Sequence, residues 1–319
     1  MKRLHRNLDD MTFAANVTTT IDLPQEFVMM GLHLELEGNL AITGDITLID
    51  EVPQSLIRRI ELIADGEALQ VWTGNMLAAY NYFQHGRYLN REVPAVAIND
   101  PENFRQHFFL PFKICNVPTP GFTYFDPTRF RSVQLRVTWG TTTDIFSAGT
   151  ATFNAATLRT VTAELMASAN QLSESGRFAD FITTHIVDTS AVANTSHKVN
   201  LPRDFDIWGI LMRVSDSATG KVVSDVLLNA IKIQERGTLN TWDLSYNMAQ
   251  NIQQTDFGLT EDMGTPAVDG SRVEGYVFID LLERGLVDRV KPQSWNQFDL
   301  VLDVDAATRL DIIPLQIRN

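Results

Sequence analysis

The strongest constraint on this fold is that the sequence repeats itself. Leu23-Pro24-Gln25-Glu26-Phe27, followed by Gly31, returns as Leu201-Pro202-Arg203-Asp204-Phe205, followed by Gly209. Further echoes keep the same order. Phe13-Ala14, Val17 and Thr18-Thr19 match Phe178-Ala179, Ile182 and Thr183-Thr184. Ile60, Leu62, Gly66, Leu69 and Trp72 match Ile231, Ile233, Gly237, Leu239 and Trp242, and Asn75-Met76 matches Asn247-Met248. Pro127, Phe130, Val133, Leu135 and Val137 match Pro292, Trp295, Phe298, Leu300 and Leu302, while Leu158, Val161 and Leu165 match Leu310, Ile313 and Ile317. The spacing drifts between blocks, as it does when loops differ in length around shared core elements. The chain of 319 residues is thus a tandem duplication of one domain. The first copy covers residues 1–167 and includes a basic amino-terminal arm at 1–6. A polar, small-residue linker covers 168–175, and the second copy covers 176–319.

Hydrophobic residues are 44% and charged residues 20% of the chain, which suits globular domains that each bury a core. The net charge of −13, from 39 acidic and 26 basic residues, argues against a broad or sequence-specific nucleic-acid surface, because phosphate contacts need clustered Lys and Arg. The local exception is Met1-Lys2-Arg3-Leu4-His5-Arg6. It reads either as a contact for an anionic surface, phospholipid or nucleic acid, or as a frayed tail. The single cysteine, Cys115, excludes an intramolecular disulfide and ends an apolar run, so a buried spectator thiol is expected. No stretch approaches the roughly 18 apolar residues of a spanning helix. No basic-then-apolar leader opens the sequence, and synthesis and assembly in a cytoplasm are expected.

Alternation dominates the pattern. His33-Leu34-Glu35-Leu36-Glu37 and Val133-Gln134-Leu135-Arg136-Val137 have the period of two that marks a strand with one buried face. Strands are expected near 12–21, 28–37, 44–50, 56–64, 68–72, 104–113, 131–138 and 157–166. The second set lies near 177–187, 206–214, 220–224, 226–235, 238–242, 272–282, 297–304 and 309–317. Short helices are expected at Asn75–Phe83 and Asp243–Ile252, with turns at Asp126–Phe130 and Lys291–Trp295 opened by proline. About eight strands per copy with little helix define an all-β chain of two tandem antiparallel jelly-roll β-sandwiches with short helices between strands.

Chemistry is sparse. His33, Glu35 and Glu37 share one face of one strand, yet the six histidines lie apart in sequence, and the equivalent strand of the second copy offers no metal donors. No Gly-x-Ser-x-Gly elbow, P-loop or dinucleotide fingerprint occurs. No catalytic residue, metal ligand or cofactor is assigned, and the chain is not expected to be an enzyme. The matched aromatics Trp72/Trp242 and Phe130/Trp295 are read as core. The unmatched ones, Tyr80, Tyr82, Phe83, Tyr88, Phe122, Tyr124 and Phe125, are the candidate interface aromatics, since aromatics are enriched where surfaces bind partners.

On the two Leu-Pro-x-[Glu/Asp]-Phe segments, the paired Trp72/Trp242 segments and the paired Pro127/Pro292 segments, the whole chain resembles the double jelly-roll major capsid proteins. These form the coats of tailless, lipid-containing icosahedral bacteriophages and include, more distantly, the adenovirus hexon. The resemblance implies a structural role in the virion: a homotrimer with a pseudo-hexameric outline, tiling an icosahedral shell assembled in the host cytoplasm. Implied partners are the chain itself, neighbouring capsomers, vertex or penton and minor capsid proteins, and an internal lipid membrane or packaged genome touched by Lys2, Arg3 and Arg6. The rival reading is a tandem β-sandwich protein that binds or processes glycans, for which carboxylates from distant segments would have to converge.

Overall fold

The computed structural model describes residues 2–42, 44, 46–49, 51–87, 89–94, 101–114, 123–172, 178–236, 239–259, 274–282 and 289–318. Two compact units divide the chain, residues 1–81 with 88–182, and residues 82–87 with 183–318. In chain order the elements begin with β1 (Arg3–Asn7), β2 (Met11–Thr12), β3 (Thr18–Asp22), β4 (Val28–Ile42), β5 (Thr47–Leu48), β6 (Ile57–Ala64), β7 (Glu67–Trp72) and α1 (Gly74–His85). There follow β8 (Arg91–Glu92), β9 (Pro101–Pro111), β10 (Val133–Trp139), β11 (Phe146–Ala148), β12 (Ala151–Leu165), α2 (Ala169–Leu172) and β13 (Asp180–Thr183). The remainder are β14 (Ile186–Ser190), β15 (Asn194–Asn200), β16 (Asp206–Asp216), β17 (Leu228–Glu235), β18 (Leu239–Ser245), α3 (Tyr246–Phe257), β19 (Tyr276–Asp280), β20 (Phe298–Val304) and β21 (Thr308–Arg318).

The first unit pairs its strands antiparallel as β1-β12-β4-β9-β8, with β2 also beside β12, and as β3-β10-β6-β7. In the second unit the same plan reads β14-β21-β16-β19 and β15-β20-β17-β18. In each, the first principal strand lies beside the last and the second beside the last but one, which is the jelly-roll order. Alternation explains the faces: β10 buries Val133, Leu135, Val137 and Trp139 and leaves Gln134, Arg136 and Thr138 half-buried. Leu32, Leu34 and Leu36 of β4 and Ile60 and Leu62 of β6 are buried in the first unit. Ile210, Met212, Ile231, Ile233, Leu300 and Leu302 belong to the core of the second. Each such side chain contributes on the order of 1.5–3 kcal/mol by leaving water.

The recurring glycine after each Leu-Pro segment has a packing cause. A Cβ on Gly31 would stand 2.5 Å from the Phe109 ring and 2.6 Å from the Leu110 carbonyl oxygen, and one on Gly209 would stand 3.0 Å from Phe278. In both units an aromatic ring of the neighbouring strand covers a glycine that has no room for a side chain.

Register corrects several expectations. The arm at 1–6 is no frayed tail, because Arg3–Asn7 pairs with β12 from Leu165 to Val161. Met11 lies opposite Leu158 and Leu158 opposite Leu36; Asp188 lies opposite Leu310 and Leu310 opposite Val214. Asp188 is therefore the counterpart of Met11, and counting back places Phe178–Thr184 against the first seven residues. The echo with Phe13–Thr19 is accidental. Trp72 and Trp242 are not counterparts either. Trp72 faces Ile60, whereas Trp242 faces Ile233, the counterpart of Leu62. Trp72 thus corresponds to Leu244, and Gln70, which faces Leu62, corresponds to Trp242. The helices agree, since the Met76 amide donates to the Thr73 hydroxyl of α1 and the Met248 amide to the Ser245 hydroxyl of α3. The strand expected at 44–50 shrinks to Thr47–Leu48, that at 220–224 to a lone Val223–Ser215 bridge, and β15 lies where none was expected.

Candidate assembly surfaces

The amino-terminal strand sorts its charges by alternation. Arg3, His5 and Asn7 are exposed, while Leu4 and Arg6 are half-buried on the opposite side. Arg6 is engaged within the unit: its guanidinium lies 2.8 Å from Glu26 and 3.5 Å from the fully buried Glu164, which also accepts a hydrogen bond from the Thr162 hydroxyl. Lys2 and Arg3 make no ion pair with a described residue and leave their charge to solvent or a partner.

The candidate interface aromatics are mostly interior. Tyr80, Tyr82, Phe83 and Phe125 are buried, so they offer no surface to a partner. Trp72 and Tyr80 pack at 5.2 Å, Phe83 meets Phe257 and Phe278 at 5.6 and 5.8 Å, and Phe125 stacks on Phe130 at 5.5 Å. The signal was present in the sequence, because Met76 to Phe83 is apolar nearly all round, which marks a helix covered on every side. Tyr124 is half-buried against Phe178. Tyr88, Phe122 and Cys115 lie outside the described residues.

The segment Phe178–Phe181 is held within the first unit. Arg129, in a turn capped by Asp126, donates from Nη2 to both carboxylate oxygens of Asp180 at 2.8 and 2.9 Å and from Nη1 to the Phe178 carbonyl at 3.0 Å. Phe178 packs with Val28 and Ala169. The Phe181 ring meets Trp72 edge-on at 6.5 Å, and the Gln70 amide donates to the Phe181 carbonyl at 3.2 Å.

His33 has companions that its sequence position hid. Cross-strand packing stacks it on His107 of β9 at 5.2 Å, with Nδ1 and Nε2 at 3.2 Å, and brings His5 of β1 to 5.8 Å. Glu35 and Glu37 pair with Arg159, and Glu37 also with Arg105. Among the described residues no group of three or more His, Cys, Asp or Glu side chains has the arrangement to hold a metal ion. Burial, reinforced by His107 and His5, lowers the His33 pKa to about 4. The folded state therefore resists a proton that the unfolded chain takes up near about pH 6.5, and stability declines as pH falls through that window. The melting temperature is expected to drop between about pH 6.5 and 4, and His33→Gln to flatten the dependence. Thermal unfolding across a pH series checks this; an equal slope in both proteins contradicts it.

No family model matches the chain, and no curated protein matches it in sequence. Solved structures do match over its whole length, and the fold they share with it is that of the double jelly-roll major capsid proteins. The STIV major capsid protein, of Sulfolobus turreted icosahedral virus, gives a TM-score of 0.79 at 14% identity, covering 100% of this chain and 97% of that one. The major capsid protein of bacteriophage PM2 gives 0.63 at 15% identity, covering 99% and 97%. The PBCV-1 virus capsid gives 0.63 at 11% identity, covering 99% and 94%. At these identities the likeness is one of fold.

Proposed function

We propose that this chain is a viral coat protein whose copies close into trimers that tile an icosahedral shell, and that its role is structural. The observation carrying this reading is the presence of two complete jelly rolls in one chain whose whole length aligns with major capsid proteins almost end to end. Three such chains present six similar sandwiches, so one protein can fill sixfold positions through a heterologous contact that closes. The glycan-processing alternative has less support, since Glu35 and Glu37, which share one face of β4, are engaged by arginines.

Neighbouring capsomers, vertex and minor capsid proteins are the partners that this role requires. For the amino-terminal strand, the exposed Lys2 and Arg3 are assigned to an anionic inner surface, either membrane or genome. Arg6 contributes less because Glu26 and Glu164 already neutralise it. Electron microscopy and sedimentation of the purified protein test the reading. Trimers and shell-like particles are expected, and a strict monomer at every concentration would refute it.

A further inference from the structure

We propose that copies of this chain join head to tail, with β1 of one copy packing against β18 and α3 of the next. The proposal deepens the coat reading and depends on it for the number of copies that close the ring.

The internal repeat supplies the argument once its register is known. In the first unit Trp72, Met76 and Tyr80 are fully buried. Trp72 is covered by Tyr80 and by Phe181, and Gln70 holds the Phe181 carbonyl. The counterparts in the second unit are Leu244, Met248, Ile252 and Trp242, from the strand pairing and the two helix caps. Here the same positions are open. Met248 is 50% and Ile252 38% exposed, and Trp242 and Leu244 are half-buried. The Trp242 indole N–H, standing where the Gln70 amide donates, has no hydrogen-bond partner among the described residues. An edge strand and a helix flank with large exposed or half-buried apolar side chains form a face that lacks its cover among the described residues.

The chain identifies the cover. In the first unit it is the segment through Phe181, which counting back from the match of Asp188 with Met11 sets against Leu4 in β1. Phe181 is buried, but Leu4 is half-buried, and β1 ends its sheet with no strand among the described residues on its outer side. One molecule thus carries an apolar face without its occupant and an occupant without its face. Both are repeats of a contact that the chain already makes once internally. Each joint sets one patch against a different one, so repeating the internal contact between copies gives a heterologous association that propagates or closes as a ring. Alternation keeps the strand's other duty separate, because Leu4 points to the opposite side from Arg3.

The test uses the full chain with two variants. Met248→Asp with Ile252→Asp breaks the face, and Leu4→Asp breaks the strand. Light scattering after size exclusion reads the mass, and thermal unfolding reports folding. Each variant is expected to be a folded monomer under conditions where the unaltered protein assembles. Mixing the two is expected to yield a dimer and nothing larger, since one intact strand meets one intact face. Assembly of the face variant equal to that of the unaltered protein overturns the joint and leaves the coat reading in place. So does a mixture that stays monomeric. An unaltered protein that never self-associates overturns the coat reading as well. If Leu4→Asp does not fold, Leu4→Ser takes its place, read against the same mixture.

Discussion

Asp311→Ala is expected to cost about 3–5 kcal/mol of stability, because it strands a buried arginine. Asp311 and Arg213 lie inside the second unit with side chains 6% and 4% exposed, 3.1 Å apart. The carboxylate also takes His185 at 3.0 Å and both Nε and Nη2 of Arg309 at 3.2 and 3.1 Å. Burial alone would raise the Asp311 pKa. The hydrogen bonds from His185 and Arg309 and the charges of Arg213 and Arg309 outweigh it and hold the pKa well below the usual carboxylate range. A depressed folded pKa means that the contribution is present above about pH 4 and is lost only as pH falls through the folded value. Arg213 keeps Ser215 and the Gly220 carbonyl after the substitution, which blunts the loss without supplying a counter-charge. Equilibrium urea unfolding measures the effect, and the double variant Arg213→Met with Asp311→Leu should recover most of it, because the buried arginine goes with its partner and Arg309 is part-exposed. A loss under about 1 kcal/mol in the single variant would show that solvent reaches the pair.

The parts of the fold legible in the sequence were those written in local period. Alternation at Val133–Val137 placed β10, and the Leu-Pro segments with their glycines placed β4 and β16. The strand at Arg3–Asn7 was illegible because all its residues but Leu4 are charged or polar, and its pairing with β12 involves partners far along the chain. Matching tryptophan to tryptophan failed for a physical reason. Packing repeats by position against the opposite strand, and at that position the second unit uses Leu244. The histidine stack was equally hidden, since His5, His33 and His107 meet only when β1, β12, β4 and β9 are side by side. Burial of the α1 aromatics could have been read from a helix lacking a polar face, and the contrast with α3, which keeps Asn247, Asn251 and Thr255 exposed, was visible in the same letters.

That contrast bears on stability as well as assembly, and Trp139→Ala isolates the stability side. Trp139 closes β10, is fully buried, and meets Phe13 edge-on at 5.6 Å. Its indole N–H has no hydrogen-bond partner among the described residues, so packing holds the ring. Truncation to alanine should cost about 3–5 kcal/mol through lost burial and the cavity left behind. For a unit of this size that lowers its melting temperature by about 10 °C. Trp139→Phe should cost distinctly less, because it keeps most of the ring volume and removes an unsatisfied donor. The corresponding residue in the second unit is the buried Val304, which already fills a smaller space, and Val304→Ala should cost less than the tryptophan truncation. Differential scanning calorimetry on the three variants separates these outcomes. Equal losses for Trp139→Ala and Trp139→Phe would mean that the indole N–H is bonded and that packing is not what holds the end of β10.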